Sequence, residues 1–113
     1  MRTDAKNLEY LQLFDAYSGL LTEHQMDVCE LYYMYDLSLA EIAEQKGTSR
    51  QSVSDTLAKS RVSLDEYEQK LRVVQTAQNM ARAEELLSAF SEKRPDFAEE
   101  IAAIAALLKG RDE

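Results

Sequence analysis

A chain of 113 residues with 45% hydrophobic and 30% charged residues is long enough for one domain with one modest core and too apolar for a disordered polymer. Three glycines and one proline disfavour a turn-rich β fold, and a single cysteine, Cys29, excludes an internal disulfide. The formal net charge of −8 argues against a general polyanion binder.

The first segment carries acids and has no long apolar run. No signal peptide is expected, and no stretch is long enough to span a bilayer, so the expected location is cytoplasmic. Leu8, Leu11, Phe14, Tyr17 and Leu21 recur at spacings of three and four and predict a first amphipathic helix that ends near Gly19. Thr22 and Gln25 fit a capping box. The helix that follows should bury Met26, Cys29 and Tyr33 and end near Asp36. Cys29 then reads as a buried thiol.

Ser38 and Glu41 form a second capping box, opening a short helix over Leu39 to Lys46. Gly47 is suited to a left-handed cap. Ser49 caps a fourth helix from Arg50. No glycine or proline follows until Pro95, so this helix is expected to run far, with a bend near Thr76. Leu57, Leu64, Tyr67, Leu71 and Val74 continue a heptad-like seam along it from Val53, interrupted at Ser60 and extending to Gln78 and Ala81. That seam needs cover, from the C-terminal helix or from a second subunit, and a homodimer is the expectation. A last helix carries Phe97, Ile101, Ile104 and Leu108 and stops at Gly110, with Pro95 in its first turn. The fold class is all-α, a single domain over 1–113.

Residues 38–61 have the layout of a helix-turn-helix, with a helical extension over 62–113. Ala43 is the small residue where the two helices cross, and Gly47 takes the turn. Leu39, Ile42, Val53 and Leu57 anchor the pair, and Thr48 should turn its methyl inward. Within 46–61 four bases face one acid, a local charge of +3 in an acidic chain. The residues placed to meet nucleic acid are Lys46, Ser49, Arg50, Gln51, Ser52, Ser54, Asp55, Lys59 and Arg61. Arg50 could bond guanine or phosphate and Gln51 adenine, while Lys59 and Arg61 suit phosphates. Asp55 opposes tight docking.

Catalytic chemistry is not visible. His24 is the sole histidine and has no neighbouring ligand, so no metal or other cofactor is expected. Glu84–Glu85 and Glu99–Glu100 read as solvated faces, and the tyrosines of "LYYMYDL" as packing. No phosphate loop or paired nucleophile occurs, and the chain reads as a non-enzyme.

The stretches "LT..Q", "ELYY..DLSLAEIAE", "SRQSV" and "LDEYEQKL" resemble the YlxM family of bacterial helix-turn-helix proteins, which is similar to region four of sigma factors. The resemblance continues more weakly to "SEKRPDF". It implies a cytoplasmic all-α protein of Gram-positive type bacteria and an accessory role in the signal recognition particle pathway. It also puts Ser49, Arg50, Gln51 and Ser52 at the start of a recognition helix. Two functions stand beside each other. One is a regulator that binds DNA or structured RNA. The other is a protein adaptor of the secretion machinery that keeps the motif as a scaffold.

Overall fold

The computed structural model describes residues 5–109. Among them the chain is all-α, with six α-helices and no strand: α1 (Ala5–Tyr17), α2 (Glu23–Cys29), α3 (Leu39–Lys46), α4 (Arg50–Leu71), α5 (Val73–Lys93) and α6 (Ala98–Lys109). Short 3-10 turns lie at Ser18–Leu20 and Pro95–Phe97, and a π-helical turn at Glu30–Met34 extends α2. Contacts divide the chain into two compact units, Met1–Val74 and Gln75–Glu113. Residues 62–74 thus fall in the same compact unit as the helix-turn-helix, and the second unit begins at Gln75.

Local chemistry fixes the helix starts of the first unit. Thr22 accepts from the Gln25 amide (3.1 Å) while the Gln25 side chain accepts from the Thr22 amide (3.1 Å). Ser38 and Glu41 make the same reciprocal pair at 3.1 and 2.8 Å. Ser49 accepts from the Ser52 amide at 3.0 Å. Each pair satisfies backbone donors that the first helical turn leaves without partners. Gly47 closes α3 with φ 69°, and the Thr48 amide returns to the Ala43 carbonyl (2.9 Å), as a left-handed cap requires. Asp36 also has a positive φ, 58°, where the preceding helix was expected to stop.

The core joins Leu13, Phe14 and Tyr17 of α1, Val28 and Cys29 of α2, Tyr33 of the π turn, Ile42 and Ala43 of α3, and Val53, Leu57 and Leu64 of α4. Two expectations change here. Leu8 is 50% exposed, because the buried stripe of α1 runs through Tyr10, Leu13, Phe14 and Tyr17, at i, i+3, i+4 and i+7. Thr48 is exposed and turns no methyl into the core. Met26 lies at the margin of the core, beside the fully buried Cys29. Ser60, buried completely, donates from its hydroxyl to the Thr56 carbonyl (2.7 Å), so its polarity is met inside its own helix.

The fourth helix does not run on to Pro95. It ends at Leu71, and Arg72 adopts the left-handed conformation with φ 56°. The cause is distant in sequence. The Tyr17 hydroxyl donates to Glu68 Oε1 (2.5 Å) and accepts from the Val73 amide (2.9 Å). Glu68 Oε1 also accepts from the Val74 amide (3.1 Å). The opening amides of α5 are thus satisfied by two side chains of the first unit, at a place four residues before the expected bend at Thr76. The seam changes accordingly. Leu57 and Leu64 lie inside this core, with Tyr67 and Val74 packed against it. Leu71 is 56% exposed, and Gln78 and Ala81 are exposed too.

In the second unit α5 and α6 run antiparallel, since Glu84, Leu87, Ser88 and Ser91 share one groove with Ala98, Ile101, Ala105 and Lys109. Pro95 opens the 3-10 turn ahead of α6 and not α6 itself. Arg94 closes the corner with a fork onto Asp96 (2.7 and 3.0 Å) and a guanidinium 4.6 Å from the Phe97 ring centre. Phe97 stacks on Phe90 at 6.2 Å. Gly110, expected as the stop of the last helix, lies outside the described residues.

Candidate nucleic-acid interface

The turn at Gly47 joins α3 to α4, and Ile42, Ala43, Val53 and Leu57 are buried where the two helices cross. This burial fixes the rotation of α4. Its opposite face must then be exposed, and it presents Gln51, Asp55, Ala58, Lys59 and Val62, while Arg50 is exposed at the helix start. Ser52 and Ser54 are half-buried at the sides. Ser49 is exposed, but its hydroxyl is committed to capping the helix.

The nine residues singled out in the sequence therefore do not act alike. Gln51 donates from its amide to Asp55 Oδ1 (2.9 Å), one turn along. That bond turns the two into a unit and leaves the Gln51 carbonyl outward as an acceptor. Lys46 is drawn to Asp27 of α2 at 3.4 Å. Arg61 is turned inward. Its guanidinium donates to the Tyr33 hydroxyl at 3.4 Å and lies 5.9 Å from the Tyr10 ring centre. Burial disfavours the guanidinium charge, but the Tyr33 hydroxyl and the neighbouring phenols outweigh it and hold its pKa above the ordinary value. Arg61 is thus a strut between α4, α1 and the π turn, where sequence reasoning has it facing phosphate. The correction follows from helix geometry. Arg61 lies four residues after Leu57 and three before Leu64, on the buried side.

Of the four bases, only Arg50 and Lys59 are exposed without an ion pair to a described residue. They are nine residues apart, two and a half turns or about 14 Å along the axis, and so point to opposite sides of α4. One exposed acid, Asp55, lies one turn before Lys59 on the outer face.

Two neighbours of this face were not singled out from the sequence. His24 Nε2 lies 3.5 Å from the Thr56 hydroxyl, so the only histidine of the chain rests against the side of α4. Val62 continues the exposed row three residues past Lys59. The spacing from Asp55 through Lys59 to Val62 is the signal that could have found it. Among the described residues no group of three or more histidine, cysteine and acidic side chains could hold a metal ion. No helix among them is long and apolar enough to cross a membrane.

A capped short helix, a left-handed glycine and a second helix with a polar outer face define an all-α helix-turn-helix protein. The chain belongs to the family described as "Putative helix-turn-helix protein, YlxM / p13 like", which it matches over residues 4–106. It is 40% identical over 102 residues to the UPF0122 protein of Streptococcus gordonii, covering 88% of this chain and 90% of that one. It is 44% identical over 96 residues to the UPF0122 protein of Symbiobacterium thermophilum, covering 84% and 88%. A UPF0122 protein of Shouchella clausii is 47% identical over 70 residues, 62% of this chain and 64% of that protein.

Proposed function

We propose that the protein is a nucleic-acid-binding regulator that contacts its ligand through the outer face of α4. One observation carries this reading: burial of Val53 and Leu57 against α3 leaves Gln51, Asp55 and Lys59 on the outer face of α4, with Arg50 exposed in its first turn. Arg50 is in the first turn of the helix, where a side chain can reach a base edge in a major groove. Lys59 is placed for a backbone phosphate. The Gln51–Asp55 pair offers a carbonyl acceptor toward an adenine or cytosine amine. Affinity per chain is low, because two cations act in a molecule of net charge −8. By its family the chain is also proposed as an accessory of the signal recognition particle pathway, in the cytoplasm, which makes that particle's RNA one of two natural probes.

The adaptor reading has its own support. Lys46 and Arg61 are withdrawn into contacts within the protein, so half of the positive island is spent on structure. The experiment separates the two. Fluorescence anisotropy of the full chain against double-stranded DNA and against signal recognition particle RNA is recorded at several salt concentrations. One phosphate contact from Lys59, or two if Arg50 also meets a phosphate, predicts a log–log salt slope of roughly −1 to −2 per chain on duplex DNA. Arg50→Ala and Lys59→Ala should each weaken binding severalfold. Binding to neither polymer, or binding indifferent to both substitutions, would overturn the regulator and leave the adaptor.

A further inference from the structure

The second unit is short of a core. Among its described residues, Ile101 alone is buried. Leu86 and Phe90 of α5 are exposed, as are Phe97, Ile104 and Leu107. These five are not scattered. Ala83, Leu86, Phe90 and Lys93 follow one another at spacings of three, four and three. Phe97, Glu100, Ile104 and Leu107 repeat that spacing. Each set is one stripe of a helix, and the Phe90–Phe97 stack at 6.2 Å brings the two stripes to the same side of the hairpin.

We propose that this side pairs with the same side of a second copy of the chain, so that two hairpins form a four-helix bundle. Two antiparallel helices are half of such a bundle, and a unit this small rarely buries enough apolar surface alone. Charge selects the occupant. The α5 stripe carries one cation, Lys93, and the α6 stripe one anion, Glu100. In a two-fold pairing the surface meets itself, and α5 of one copy lies on α6 of the other. Lys93 then faces Glu100 twice, once in each direction. A partner with a plainly apolar face would leave both charges unmatched. The interface differs from the seam that the sequence suggests, since Leu57 and Leu64 are already inside the first unit. It also stands apart from nucleic-acid binding, because none of its residues lies on α4.

Sedimentation equilibrium of the full chain tests the proposal. The protein should be a dimer, and Leu86→Lys with Ile104→Lys should weaken it at least a hundredfold. A second arm uses exposed charges, which cannot unfold the unit. Lys93→Glu and Glu100→Lys should each dimerise roughly tenfold more weakly, because each sets like charges face to face. Mixed in equal amounts they should associate as tightly as the parent, since each variant supplies the charge that the other lacks. A parent chain that is monomeric at every concentration overturns the proposal. So does a dimer that survives the Leu86 and Ile104 substitutions, or a mixture no tighter than its components.

Discussion

Val53 decides the geometry of the motif at the scale of one residue. It is 1% exposed, wedged between α3 and α4, and no cation lies beside it in the core cluster. Val53→Asp would bury a charge without a partner, at a cost of more than about 4 kcal/mol. The expected result is loss of the cooperative thermal transition, followed by circular dichroism. A melt near the parent temperature would mean that α4 presents another face. The same scale shows why the exposed bases were only half legible in the sequence. A base in a run of bases looks free. Whether it is free depends on groups far along the chain: Asp27 for Lys46, Tyr33 and Tyr10 for Arg61. The exposure of Arg50 and Lys59 was legible because nothing distant competes for them.

Helix boundaries divide in the same way at the scale of elements. The starts at Thr22, Ser38 and Ser49 and the stop at Gly47 are written in residues three or four apart, and each was readable. The break at Arg72 was not, because arginine has no preference for the left-handed region. It is imposed by Tyr17, on a helix more than fifty residues away, acting with Glu68. The π turn was unreadable for a like reason, since "ELYYM" carries no local mark of an i+5 bond. Two outcomes follow at the break. Arg72→Gly should raise stability by about 0.5–1 kcal/mol, because glycine enters the left-handed region without the steric cost that arginine bears. Glu68→Ala should lower it by about 1–3 kcal/mol, because the Val74 amide and the Tyr17 hydroxyl lose a shared acceptor. Urea titrations measure both. A lower midpoint for Arg72→Gly would show that the arginine side chain contributes more than its backbone costs.

Protons report on the whole molecule. Burial pushes the Cys29 thiol above its ordinary value of 9.0. It likewise pushes the Tyr10, Tyr17 and Tyr33 hydroxyls above 10.0, with acceptance by Asp65 and Glu68 adding to the effect at Tyr10 and Tyr17. Every one of these groups holds its proton more tightly folded than unfolded. Their contribution is complete below about pH 8, where both states are protonated. As pH rises further the unfolded chain loses protons first, and stability falls until the folded groups also titrate. The urea midpoint should therefore decline between about pH 9 and 11. A midpoint constant over that range would mean that these groups are not buried as described.

The bond from Tyr17 to Glu68 spans 51 residues and that to Val73 spans 56. A ribosome adds about 5–20 residues per second, so the first helix waits roughly 3–10 seconds before its partner has been synthesised. For that interval Leu13, Phe14 and Tyr17 have only the earlier part of their core, from α2, the π turn and α3, to pack on. The face of α1 that α4 covers stays open until then, and the docking of α4 closes it.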